Sequence, residues 1–104
     1  MNKFILGGML FALAAAAQAD VAAGKAKATA ACAMCHGPLG LSMQPGVPHL
    51  AGQQEVYLAE QLRHFRNGKR ANEVMTVIAK PLSNEDIDNL AAWYASLQVQ
   101  VQEK

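Results

Sequence analysis

The chain has 104 residues, 52% of them hydrophobic and only 6% aromatic, with nine Lys and Arg against eight Asp and Glu. That length holds one small domain, with no internal repeat. A charge so close to balance argues against generic nucleic-acid binding, which calls for a concentrated basic face.

The first residues read as a targeting segment. Lys3 gives a positive start, Phe4 to Ala17 is apolar or small throughout, and Ala17-Gln18-Ala19 is a small-x-small processing site. A secretory signal peptide spanning residues 1–19, cut before Asp20, is therefore expected, and with it a periplasmic destination. A retained membrane anchor is the competing reading, but a span needs about 20 apolar residues, and this run is shorter and ends in the processing site. Removal leaves a domain at 20–104 with no membrane span, in which the loss of Lys3 brings Lys and Arg to eight against eight acids. A domain of that size buries only about 60–65% of its unfolded surface and needs a staple or a cofactor.

From Asp20 to Ala31 the residues Val21, Gly24, Ala28 and Ala31 recur at helical spacing, with Lys25 and Lys27 off that face. Asp20 is the expected N-cap. The inner face is so small that another helix backbone can approach it closely.

Cys32-Ala33-Met34-Cys35-His36 follows. Two thiols three positions apart with a histidine directly after them form the C-x-x-C-H pattern of covalent c-type haem attachment. The cysteines can form thioethers with the two vinyl groups of one porphyrin while His36 reaches the iron. A disulfide between them would close too short a loop to constrain much chain entropy, and would leave His36 without a role. A thioredoxin-like pair belongs in a βαβ setting, and no strand pattern is present. Zinc needs two more ligands, and the remaining histidines are His49 and His64.

Gly37, Pro38, Gly40, Pro45, Gly46 and Pro48 mark a loop with no sustained period. Its Leu39, Leu41, Val47 and Leu50 are suited to cover a flat cofactor. A helix is expected over Gln53 to Asn67, with Leu58, Leu62 and Phe65 on one face, His64 pointing outward and Gly68 as its stop. Lys69 to Pro81 carries less pattern, at most a short helical turn. Ser83-Asn84-Glu85-Asp86 resembles a capping box with Asp in the place of Glu or Gln. The last helix follows, with Ile87, Leu90, Tyr94 and Leu97 as its stripe and Trp93 beside it, and the tail from Gln98 frays. The fold class is all-α: three main helices plus loops wrapped around one covalent haem.

His36 alone leaves the iron with an open sixth position, and a thioether there suits electron transfer. Of the methionines after the signal segment, Met34 lies inside the attachment turn and Met43 is only seven residues from His36; Met75, 39 residues on, has chain enough to return on the far side of the ring. Met75 is thus the expected sixth ligand, with His49 and His64 as rivals. The carbonyl of Pro48 is a candidate to hold the other nitrogen of His36, and Tyr57, Arg63, Asn72 and Trp93 are candidate propionate donors. Lys69 and Arg70, with Arg63 and Arg66, form the one basic concentration, a solvated helix end that could also steer an acidic redox partner.

The matching stretches Cys32–Gly37, Val47–Gln53, Tyr57-Leu58, Gln61-Leu62, Phe65–Gly68, Met75, Ile78-Ala79, Leu82–Ile87 and Leu90–Ala95 resemble a class I c-type cytochrome of the short bacterial monohaem kind, similar to one domain of dihaem periplasmic cytochromes c. Trp93 stands where a tyrosine is common. The resemblance implies thioethers at Cys32 and Cys35, iron ligation by His36 and Met75, a Pro48 carbonyl on the histidine, and a crossing of the first and last helices at Gly24 against Leu90 and Trp93. The function it implies is a soluble periplasmic one-electron carrier, monomeric or weakly oligomeric, that serves redox partner proteins and is not itself an enzyme. Two alternatives stand beside it: a haem subunit permanently docked to a periplasmic dehydrogenase, such as a sulfide-oxidising flavoprotein, and a gas-binding or peroxidatic haem protein with an open sixth site.

Overall fold

The computed structural model describes residues 7–8 and 18–104. Apart from Gly7, Gly8, Gln18 and Ala19, the expected signal peptide lies outside the described residues. Among the described residues the regular structure is all helical: α1 (Val21–Ala31), α2 (Ala33–His36), α3 (Glu55–Asn67), α4 (Glu73–Ala79) and α5 (Asn84–Ser96). None of these helices is long and apolar enough to cross a membrane.

Three of the helices, α1, α4 and α5, begin where a side chain satisfies their free N–H groups. The Asp20 carboxylate accepts the Ala23 N–H at 3.0 Å and starts α1. Asn72 does the same for α4, its Oδ1 accepting from Val74 and Met75. At α5 the Ser83 hydroxyl accepts the Asp86 N–H and the Asp86 carboxylate accepts the Ser83 N–H, both at 3.0 Å. The shorter Asp thus closes the capping box as the sequence suggested. The middle helix starts at Glu55 rather than Gln53, because Gln54 is still extended, and it ends at Gly68 in the left-handed conformation. The weakly patterned stretch after Lys69 proves to contain a seven-residue helix, α4.

The packing is organised on α5, which lies against α1 on one side and α3 on the other. Its Ile87, Leu90, Ala91 and Tyr94 are buried with Ala28 of α1, Leu58, Ala59 and Phe65 of α3, Ala79 of α4 and Leu82. Ile87 and Leu90 are the largest fully buried side chains, each worth about 1.5–3 kcal/mol in water-exclusion terms. The α1–α5 crossing depends on Gly24. A Cβ there would lie 1.9 Å from the Asn89 carbonyl oxygen and 2.9 Å from Trp93 Cβ, so the helices meet backbone to backbone, at Asn89 rather than Leu90. Asn89 is itself buried, and its Oδ1 accepts the Asp20 N–H at 2.8 Å. Arg66 ties the end of α3 to the turn before α5 by donating to the Leu82 carbonyl and to Asn84.

Candidate functional site

Cys32 stands at the junction of two helices. It caps the C-terminus of α1, donating its N–H to Ala28 at 2.8 Å, and its carbonyl accepts from Cys35 and His36 in the single turn of α2. At about 100° per residue that turn brings Cys32, Cys35 and His36 within one arc and sends Met34 the opposite way. Met34 is accordingly 90% exposed, whereas His36 is buried. The chain leaves the turn through Gly37, at φ +88°, where a Cβ would meet the Leu41 carbonyl oxygen at 2.1 Å. Only glycine permits the loop to fold back over the turn so closely.

That folding back delivers Pro48. Its carbonyl oxygen lies 2.9 Å from His36 Nδ1, and because a carbonyl can only accept, Nδ1 carries the proton and Nε2 keeps the free lone pair. The ring is therefore buried, oriented and in the tautomer that a metal takes at Nε2.

Cys32 and Cys35 are both free and half-buried. Burial pushes the Cys32 thiol up from its ordinary range, with the Tyr94 hydroxyl and Lys27 opposing it in part. Tyr94 is pushed up in turn, chiefly by its own burial and then by Cys32 beside it. Its hydroxyl has no hydrogen bond of acceptable geometry. The stripe of α5 marked Tyr94 as core, but nothing local marks its hydroxyl as a neighbour of Cys32.

Met75 lies in the first part of α4, half-buried against the core cluster that also takes Cys32, Leu50 and Leu62. The rival ligand His49 has its Nδ1 engaged by the Ser42 N–H at 2.8 Å. His64, on α3, lies 3.7 Å from Glu60. Of the candidate propionate donors, Asn72 caps α4 through Oδ1, an acceptor role that leaves its amide N–H groups, and Arg63 pairs with Asp88 at 2.6 Å. Trp93 receives Lys25 over its ring, at 5.4 Å, and Tyr57 is exposed. The basic concentration is likewise in use: Arg66 holds Leu82 and Asn84, while Arg70 reaches Gln61 at 2.8 Å and lies over the Phe65 ring.

Two shallow grooves, of about 520 and 470 Å³, lie elsewhere, one against Glu60, Arg63, His64 and Asp88, the other beside Val21 and Ala95. Neither includes the two cysteines or His36. Among the described residues no three His, Cys, Asp or Glu side chains converge as a bare metal ion would require.

Residues 21–98 match the family model for cytochrome c. The chain belongs to the cytochrome c family. It is 42% identical to cytochrome c4 of Pseudomonas aeruginosa over 97% of its own length and 51% of that protein. It is 43% identical to the thiosulfate dehydrogenase electron acceptor of Thiomonas intermedia over 94% of its length and 45% of that protein. The solved structure of Acidithiobacillus ferrooxidans cytochrome c4 superposes with a TM-score of 0.71 at 36% identity, covering 81% of this chain and 53% of that one. The chain thus spans about half the length of these relatives and matches one of their domains.

As a cytochrome c domain it carries one covalent haem c and serves electron transfer. The residues present fit that group. Two thiols and a ring nitrogen with a free lone pair share one arc, and Leu39 and Leu41 stand exposed in the loop that follows them. Apolar side chains of that kind cover a porphyrin face, and a lone thioether such as Met75 is a ligand that iron in haem accepts.

Proposed function

We propose that this cytochrome c is a one-electron carrier exported to the periplasm, with residues 1–19 removed and the domain at 20–104 working as a monomer or weak oligomer. Cys32 and Cys35 would hold haem c by thioethers, and His36 Nε2 and Met75 are the residues that would bind its iron. The observation that carries this is the buried His36 ring held by the Pro48 carbonyl at 2.9 Å, in the tautomer that leaves Nε2 to a metal.

Haem c, when bound, supplies an iron centre that takes and gives one electron without bond rearrangement. The chain's own part is to keep the surroundings alike in both states. The short turn of α2 sets where the thiols and His36 stand, Pro48 fixes the ring's orientation, and Asn72, by capping α4 at Val74 and Met75, anchors the backbone of the second ligand. The core on α5 keeps water from the side of the turn next to Tyr94.

The test is expression with a cytochrome c maturation system. The expected product begins at Asp20, keeps its haem through denaturation, and shows a six-coordinate low-spin spectrum in both oxidation states with slow carbon monoxide binding. A chain that acquires no covalent haem refutes the reading; rapid carbon monoxide binding replaces it with an open sixth site. A second reading follows from the relative described as a thiosulfate dehydrogenase electron acceptor. On that reading the donor is a dehydrogenase of small sulfur compounds, and the domain is its docked haem subunit; stoichiometric copurification with such an enzyme distinguishes the docked form from the free carrier.

A further inference from the structure

His49 does not offer its Nδ1 to a metal. That atom accepts the Ser42 N–H at 2.8 Å, which requires an unprotonated Nδ1. Ser42 is itself fastened to the attachment turn, since its hydroxyl donates to the Cys35 carbonyl at 3.2 Å. Two residues on, the Gln44 side chain donates to the Met34 carbonyl at 3.1 Å. Directly before His49 stands Pro48, whose carbonyl takes the His36 Nδ1 proton. The contacts close a circuit: from Cys35 to Ser42, across to His49, back one residue to Pro48, and home to His36. Between Gly37 and Gln54 no helix or strand fixes the backbone; Leu50 and Ala51 are tied to the Gly40 carbonyl after His49, and side-chain bonds of this kind add the hold on the stretch before it, where the Pro48 carbonyl lies.

We propose that His49 is a positioning residue for the axial histidine. By holding the Ser42 N–H it fixes the 42–49 segment against the attachment turn, and so keeps the Pro48 oxygen on His36 Nδ1. This rests on the reading of His36 as the iron ligand. A firm N–H···O bond at Nδ1 makes Nε2 the more basic donor and favours the oxidised metal. A slack bond favours the reduced one. The sequence reading saw in His49 only a rival ligand, because its partner in the loop has no periodic relation to it.

The experiment compares three holoproteins: the natural chain, His49→Leu and His49→Asn. Asparagine keeps an acceptor, Oδ1, near the place of Nδ1; leucine does not. In His49→Leu the reduction potential rises and the His36 ring N–H exchanges with solvent about tenfold faster, the scale of one hydrogen bond lost. His49→Asn restores both. Ser42→Ala, which removes the link to Cys35 and keeps the N–H, shifts both readouts in the same direction as leucine and serves if His49→Leu does not fold. Potentials and exchange rates equal in all variants overturn the proposal, as does an equal shift in His49→Leu and His49→Asn, which would point to the volume of the ring rather than its acceptor. Failure of the natural chain to take up covalent haem is a separate result and refutes the ligand reading itself.

Discussion

Gly24 and Asn89 meet without side-chain separation: a Cβ on Gly24 would lie 1.9 Å from the Asn89 carbonyl oxygen. The obstacle is backbone of a buried helix and has no rotamer to yield. Gly24→Val is therefore expected to force α1 off α5 and to cost about 3 kcal/mol, at the upper end of overpacking effects, in urea unfolding of the holoprotein. A loss under about 1 kcal/mol would show that the crossing adjusts freely.

The buried Asn89 side chain makes a second test of the same seam. Asn89→Ala removes the acceptor for the Asp20 N–H at the start of α1 and is expected to cost about 1–3 kcal/mol. Hydrogen exchange should rise first at the α1 amides and only later in α3.

Asp86 gives the fold a defined acid limb. The Ser83 N–H holds its carboxyl below the ordinary carboxylate range; desolvation works against it, and the Ser83 hydroxyl and Lys27 add to the lowering. A depressed folded-state value means that this contribution is present above the unfolded carboxylate value, about 4, and is lost as pH falls through the folded one. Asp86→Asn should flatten stability against pH in that window. Ser83→Ala should cost about 1 kcal/mol near neutrality by removing the cap.

Met75 carries the sharpest test of the ligand set. Met75→Ala is expected to keep the covalent haem, lose the red charge-transfer band of an iron–methionine bond and bind carbon monoxide rapidly. A retained band would assign the ligand elsewhere. Met75→His should keep six coordination and lower the potential, because imidazole favours the oxidised iron more than a thioether does.

Electron transfer to a partner should depend weakly on ionic strength. Residues 28–54, which include the attachment turn and its loop, contain no Lys, Arg, Asp or Glu. Arg63, Arg66 and Arg70 of the basic concentration are engaged within the domain. Stopped-flow rates that fall steeply between low salt and about 0.15 M, where the screening length is about 8 Å, would restore the steering role.

Much of this architecture was legible because its signals are local. The α5 stripe of Ile87, Leu90 and Tyr94, the capping box at Ser83 and Asp86, and the stop at Gly68 each declare themselves within a few residues. The attachment turn is legible for the same reason. Asn89 was not, since its partner Asp20 lies 69 residues away and an asparagine on a helix carries no sign of burial. The α4 boundaries were missed because that helix is short and half-exposed, with Val74 and Val77 open to solvent, so no apolar stripe marks it. Side-chain engagement was not legible either: that Arg63 pairs with Asp88, and that Asn72 Oδ1 takes the α4 amides, depends on where α5 and α4 lie.

The bond from Asp20 to Asn89 fastens the polypeptide at the N-cap of α1. The start of α1 takes its register from α5. A fusion or reporter group joined ahead of Asp20 accordingly hangs from a fixed anchor on the α1–α5 seam, where it senses the opening of that seam and leaves the attachment turn undisturbed.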